Sequence, residues 1–128
     1  MIRRSILVGL LAVASLGVAA APVAAKSGAV ITHGQCSGSS VWKLKLSPED
    51  SGIEVEFEVD QNRNNRVWGV SLTQNTAGVW RGSRRTSAPS GSFTVRRVLS
   101  NHTGTDRVVA RATNARTGEV CRGSATAS

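Results

Sequence analysis

The sequence predicts an all-β domain, an antiparallel sandwich of about seven short strands behind an N-terminal targeting segment. Three observations carry that expectation. Residues 53–60 (IEVEFEVD) alternate strictly between apolar and acidic side chains. Turn-forming clusters recur roughly every eight to twelve residues. Past residue 25, no stretch keeps a helical period long enough to matter.

The targeting segment comes first. Arg3 and Arg4 precede an apolar run through Ile6, Leu7, Val8, Leu10, Leu11, Val13 and Leu16, and small residues close it at Val23-Ala24-Ala25. A charged start, an apolar stretch and small side chains at −3 and −1 are what a secretory signal and its peptidase need. Cleavage is expected after Ala25, leaving Lys26 as the first mature residue. Arg3-Arg4 is also compatible with twin-arginine export. The run is nearly long enough to span a bilayer, but Gly9, Gly17, Pro22 and many alanines make it a weak anchor. After cleavage no membrane span is expected, and the protein is expected to be extracellular. The mature chain then divides into a flexible segment at 26–35, the sandwich at 36–124 and a frayed tail at 125–128.

The strands follow in order. Trp42, Leu44 and Leu46 alternate with Lys43 and Lys45 before Pro48. The segment 53–60 is a half-buried strand by its period of two. After the polar turn at 61–65, Trp68, Val70 and Leu72 mark a third strand, and 79–86 a fourth, interrupted by Gly82. Ala88-Pro89-Ser90-Gly91 is a turn by composition. Phe93 and Val95 begin a fifth strand running to Leu99, residues 107–113 form a sixth, and Val120 opens the last.

Without its first 25 residues the chain is 103 long and carries 23 large apolar residues. That is a thin core for an exported domain, which usually needs a covalent staple. The two cysteines, Cys36 and Cys121, permit one intramolecular disulfide. Neither has a His or Lys neighbour that would mark a reactive thiol.

The run from Cys36 to Gly123 resembles small exported actinomycete proteins of unknown function. The landmarks are Cys36-Ser37-Gly38, Trp42-Lys43-Leu44, residues 54–62 and 88–93, and Thr117-Gly118-Glu119-Val120-Cys121. The resemblance implies an exported globular domain and brings no catalytic residues. The order of elements is also similar to immunoglobulin-like sandwiches, with Trp68 where a buried third-strand Trp would sit. It departs from antibody-type domains in lacking a tyrosine corner and in placing its cysteines on the terminal strands.

Little here suits catalysis. Tyr is absent and His33 and His102 are the only histidines, both expected in solvated loops outside any triad or metal spacing. Glu54, Glu56, Glu58 and Asp60 point off one strand face, where their pKa values would not be driven apart as a glycosidase pair requires. Asp60-Gln61-Asn62-Arg63-Asn64 has a D-x-N-x-N spacing, but Asn65 and Ser71 stand where a calcium loop needs Gly and Glu. Trp42 and Trp68 are in phase with core residues, leaving Trp80 as the tryptophan that could be an exposed contact. The expectation is a non-enzyme with no catalytic residue, cofactor or metal site.

Charge is the informative feature. The chain carries 16 Lys+Arg against 8 Asp+Glu. Residues 49–60 hold six acids and no base, while 61–128 hold eleven arginines against Asp106 and Glu119. Lys43, Lys45 and Arg96 can neutralise the acidic strand across neighbouring strands. That leaves Arg81, Arg84, Arg85, Arg107 and Arg111 as a candidate anion- or partner-binding face. The expected role is a monomeric secreted binding module for an anionic wall polymer, a polysaccharide or an extracellular protein, with nucleic acid not an expected partner. The alternative is a small exported protease inhibitor acting through an extended loop at 84–91.

Overall fold

The computed structural model describes residues 26, 28–50 and 52–128; the signal segment expected at 1–25 lies outside them. Eight strands follow one another: β1 (Val30–Gln35), β2 (Val41–Glu49), β3 (Gly52–Asp60), β4 (Val67–Gln74), β5 (Ala77–Arg85), β6 (Ser92–Leu99), β7 (Asp106–Asn114) and β8 (Val120–Ala127). They form two antiparallel four-stranded sheets, ordered β1-β2-β3-β6 and β5-β4-β7-β8. No helix occurs among the described residues.

The alternation that predicts β3 also dictates its two faces. Ile53, Val55, Phe57 and Val59 are fully buried between the sheets, with Leu44 and Leu46 from β2 and Val95 from β6. The opposing sheet contributes Trp68, Val70 and Leu72 from β4, Val108, Ala110 and Ala112 from β7, and small residues from β8. Trp68 and Phe93 meet across the core with ring centroids 6.2 Å apart.

Each lateral edge of the sandwich is closed by a tryptophan lying on glycine. Trp42 packs on Gly34 of β1 and Gly123 of β8, where sheet meets sheet; a Cβ on Gly34 would stand 2.8 Å from Cζ2 of the indole. Trp80 folds over Gly82 on its own strand, with a would-be Cβ 2.5 Å from Cζ2, and faces β6. Near the first of these edges the Cys36–Cys121 disulfide joins the β1–β2 connection to β8, with Cα atoms 4.3 Å apart. Glu119 locks the connection beside it, accepting from Ser40 N at 3.0 Å and Ser40 Oγ at 2.7 Å.

Two boundaries differ from the sequence expectation. Within the segment expected to be flexible (26–35), residues 30–35 form β1, paired with β2 from Val30↔Leu46 to Gln35↔Val41. Its inward residues are Val30, Thr32 and Gly34, so no large apolar face announces it; Gly34 is small because Trp42 covers it, and Thr32 Oγ1 donates to Ser124 O at 3.0 Å. The tail expected to fray at 125–128 is instead the end of β8, with Ala125 and Ala127 buried. Alanine and glycine give a weak periodic signal even on a buried face.

Candidate functional site

The outer face of the β5-β4-β7-β8 sheet is built from residues of one parity on each strand. Arg81, Ser83 and Arg85 point out from β5, Gly69, Ser71 and Thr73 from β4, Arg107, Val109, Arg111 and Thr113 from β7, and Arg122 and Ser124 from β8. The register aligns the central arginines. Ser71 pairs with Arg81 on one side and Arg111 on the other, and Arg111 pairs with Arg122. One level of the sheet therefore reads Arg81, Ser71, Arg111, Arg122 across all four strands. Arg107 lies one end of the face, where its N–H donates to Asn75 Oδ1 at 2.8 Å. Arg85 lies at the other, its Nη1 donating to Asn65 Oδ1 at 2.8 Å.

Two adjoining shallow depressions cover this face and share Ser71 and Arg111; one takes in Arg107 and Arg122, the other Arg81 and Ser83. Among the described residues, no carboxylate points off it. None of Arg81, Arg85, Arg107, Arg111 and Arg122 forms an ion pair among the described residues. Like charges directly opposite on neighbouring strands are unfavourable, so the Arg111↔Arg122 pair breaks a local rule without internal relief.

Of the five arginines singled out from sequence, the structure brings Arg81, Arg85, Arg107 and Arg111 onto this face and separates Arg84. Even numbering along β5 turns Arg84 the other way, and its guanidinium sits 5.0 Å from the Trp80 ring centroid. Arg97 of β6 lies 5.5 Å from the same ring, so Trp80 has two cations over its ring and packs against the core. Arg122 is the member that sequence reasoning missed. It sits in a glycine-, serine- and alanine-rich strand, and only its register with Arg111 places it.

The opposite outer face shows the contrast. Lys43 pairs with Glu58, Lys45 with Glu56 and Arg96 with Glu56 in the strand register. Arg96 forms ion pairs with Glu56 and, at 3.6 Å, with Glu54. Glu54 and Glu56 are thus paired within their own sheet, and Glu58 has Lys43 opposite it in register. Asp60 Oδ1 accepts from Asn62 N at 2.9 Å, so the D-x-N-x-N stretch is held as a turn by its own carboxylate.

The loop proposed for cleft insertion is compact where extension was expected. Arg84 and Arg85 end β5, Thr86 is buried, and its Oγ1 donates to Arg63 O at 2.6 Å while accepting from Arg66 N at 2.9 Å. Gly91 N then donates to Ser87 O at 2.9 Å, closing a turn.

A second polar cluster lies at one end of the sandwich. Asp106 is fully buried, and burial alone would raise its pKa; Lys26, His102 and Gln74 reverse that and hold the carboxyl well below the usual range. Oδ2 meets the Lys26 ammonium and accepts from His102 N at 2.9 Å. Oδ1 accepts from Gln74 Nε2 and Asn75 Nδ2, each at 2.9 Å, and faces His102 Nδ1 at 2.8 Å. With a carboxylate oxygen opposite, Nδ1 carries the imidazole proton. Lys26 Nζ also donates to Asn101 Oδ1 and His102 O, at 2.6 and 2.9 Å. His102, expected to be solvated, is thus half of a contact to a buried charge, though its side chain is 55% exposed. His33 is exposed on β1.

No protein-family model, curated protein or solved structure matches this chain.

Proposed function

We propose that this protein is an exported, non-enzymatic β-sandwich of immunoglobulin-like topology that binds an anionic partner through the outer face of its β5-β4-β7-β8 sheet. The observation that carries the reading is the level Arg81, Ser71, Arg111, Arg122, with a cross-strand arginine pair and no acid on the face. An unrelieved like-charge pair is a departure from local consistency of the kind found at functional sites. Guanidinium forks suit phosphate, sulfate and carboxylate groups alike.

The strand order supports the topology. With β2 and β3 as the first two strands of such a domain, β2-β3-β6 faces β5-β4-β7-β8, and the added strand β5 extends the second sheet as in variable-type domains. Trp68 then occupies the buried third-strand position. The Cys36–Cys121 bond suits an oxidising compartment.

Retention on immobilised heparin tests the reading. The disulfide-bonded protein should be retained and elute as salt rises, because the attraction acts over a Debye length of about 8 Å at physiological ionic strength. Substituting Arg81→Ser together with Arg111→Ser should weaken retention while leaving the unfolding midpoint nearly unchanged, since exposed charges contribute about 0–1 kcal/mol. Glu54→Gln with Glu56→Gln should preserve or strengthen it. Retention like that of a neutral protein of equal size would refute the reading.

A further inference from the structure

We infer that the ligand of the β5-β4-β7-β8 face is a linear phosphodiester polymer of polyol or sugar repeats, lying diagonally across the strands from Arg107 to Arg85. The inference rests on the reading of that face as the binding surface and specifies what occupies it.

The spacing of the arginines calls for a chain. Arg107 stands level with Asn75, just past the end of β4, and Arg85 with Val67 at its start, eight residues apart. At roughly 3.3 Å per residue, with two strand spacings of about 4.8 Å between β5 and β7, the track is about 28 Å long. Arg81 and Arg111 flank its middle at Ser71, and Arg122 stands at the same level one strand beyond Arg111. A small anion can engage that middle level and no more. Only an extended polyanion reaches both ends.

The chemistry of the face narrows the polymer. Binding sites for single-stranded nucleic acid combine a basic groove with aromatic platforms on which bases stack, and no aromatic side chain points off this face. Trp80 lies on the other side of β5 with Arg84 and Arg97 over its ring, Trp68, Phe57 and Phe93 are buried, and Tyr is absent from the sequence. Between the arginines the floor is Gly69, Ser71, Thr73, Ser83 and Thr113, with Val109 between Arg107 and Arg111. It is low enough for close approach and lined with hydroxyls that can both donate to and accept from a polyol. Arg111 and Arg122 stand directly opposite each other, about 5 Å apart between strands. A phosphodiester offers two free oxygens while the chain continues through the phosphorus, so each guanidinium can take one. A carboxylate also has two acceptor oxygens, but as a pendant group it carries its charge beside the chain, whereas a phosphodiester carries it in the backbone and so keeps the polyol against the hydroxyl floor.

Calorimetric titration of the disulfide-bonded protein with glycerol phosphate oligomers of graded length tests this. Inorganic phosphate, hyaluronate oligomers and oligothymidylate, the last two matched in charge number, serve as comparisons. Affinity should rise with length until the oligomer spans about 28 Å and then level off, and matched hyaluronate and oligothymidylate should bind at least about tenfold more weakly. Arg85→Ser and Arg107→Ser should each leave short oligomers unaffected and lower the plateau, with the slope of log affinity on log salt falling by about one. Arg111→Ser should weaken every length. Affinity independent of length, or equal affinity for hyaluronate or oligothymidylate, would overturn the inference while leaving an anion-binding face intact. No binding to any polyanion would remove both.

Discussion

The indole of Trp42 lies against Gly123, filling the space in which a side chain there would stand. Gly34 lies against the same indole, so glycines of both sheets hold the ring close. Gly123→Ala should therefore destabilise the protein by about 1–3 kcal/mol through overpacking. Gly69→Ala is the matched control, because a Cβ there meets nothing within 4 Å. Urea midpoints should fall for the first and hold or rise for the second. Equal midpoints would mean that the edge can reopen around the ring.

Lys26 has a side chain only 6% exposed, and its ammonium answers the fully buried carboxylate of Asp106. Lys26→Met leaves that carboxylate without its cation, a change that costs about 3–5 kcal/mol when a buried pair loses one member. Because both residues serve one network, Lys26→Met with Asp106→Asn should lose less than the two single variants together. Additive losses in chemical denaturation would show that the two do not act as a pair.

The same carboxylate sets an acid limit. Its folded pKa lies below the value of about 3.9 for an unfolded Asp, so the unfolded state binds the proton more readily. The stabilisation is fully present above the unfolded value and is lost as pH falls through it toward the folded one. Stability measured from pH 6 down to 2 should decline more steeply in the wild type than in Asp106→Asn. Parallel acid limbs would assign the decline to other carboxylates.

Thr76 completes the two-residue connection from β4 to β5 with φ of +72°, after Asn75 at +49°. Both values are positive, as a type I′ hairpin requires, and its preferred pair is Asn-Gly. A β-branched residue in the left-handed region is strained. Thr76→Gly should raise stability by up to about 1 kcal/mol, the strain relief being offset in part by glycine's backbone entropy. A lowered melting temperature would show that the Thr76 side chain makes a compensating contact.

How far these features could be read from sequence varies with the size of the side chains involved. The β3 alternation marks its strand without ambiguity, because four large apolar residues face four carboxylates. The pairing of Lys43, Lys45 and Arg96 with that strand also follows, once it is placed between β2 and β6. Strand β1 and the end of β8 were illegible, since their inward residues are Val, Thr, Gly and Ala. Alternation along β5 was enough to group Arg84 with Trp80 and Gly82, yet charge alone drew it into the basic set. Arg122 needed register, a long-range quantity that no local pattern encodes. The Lys26–Asp106 contact joins positions 80 apart in sequence, and neither residue advertises it.

The Cys36–Cys121 bond also decides how the molecule would respond to being pulled. It ties the turn after the first strand to the last strand, 85 positions later. A load applied at the two ends of the chain therefore passes through sulfur and bypasses everything between. Roughly 280 Å of extensible backbone stays slack behind that bond, at about 3.3 Å per residue. Only the short pieces outside it, β1 and the final residues of β8, would peel away. Tension would strip that sheet of its β8 edge and of Arg122 with it, while Arg81, Arg107 and Arg111, on strands enclosed by the bond, would keep their places.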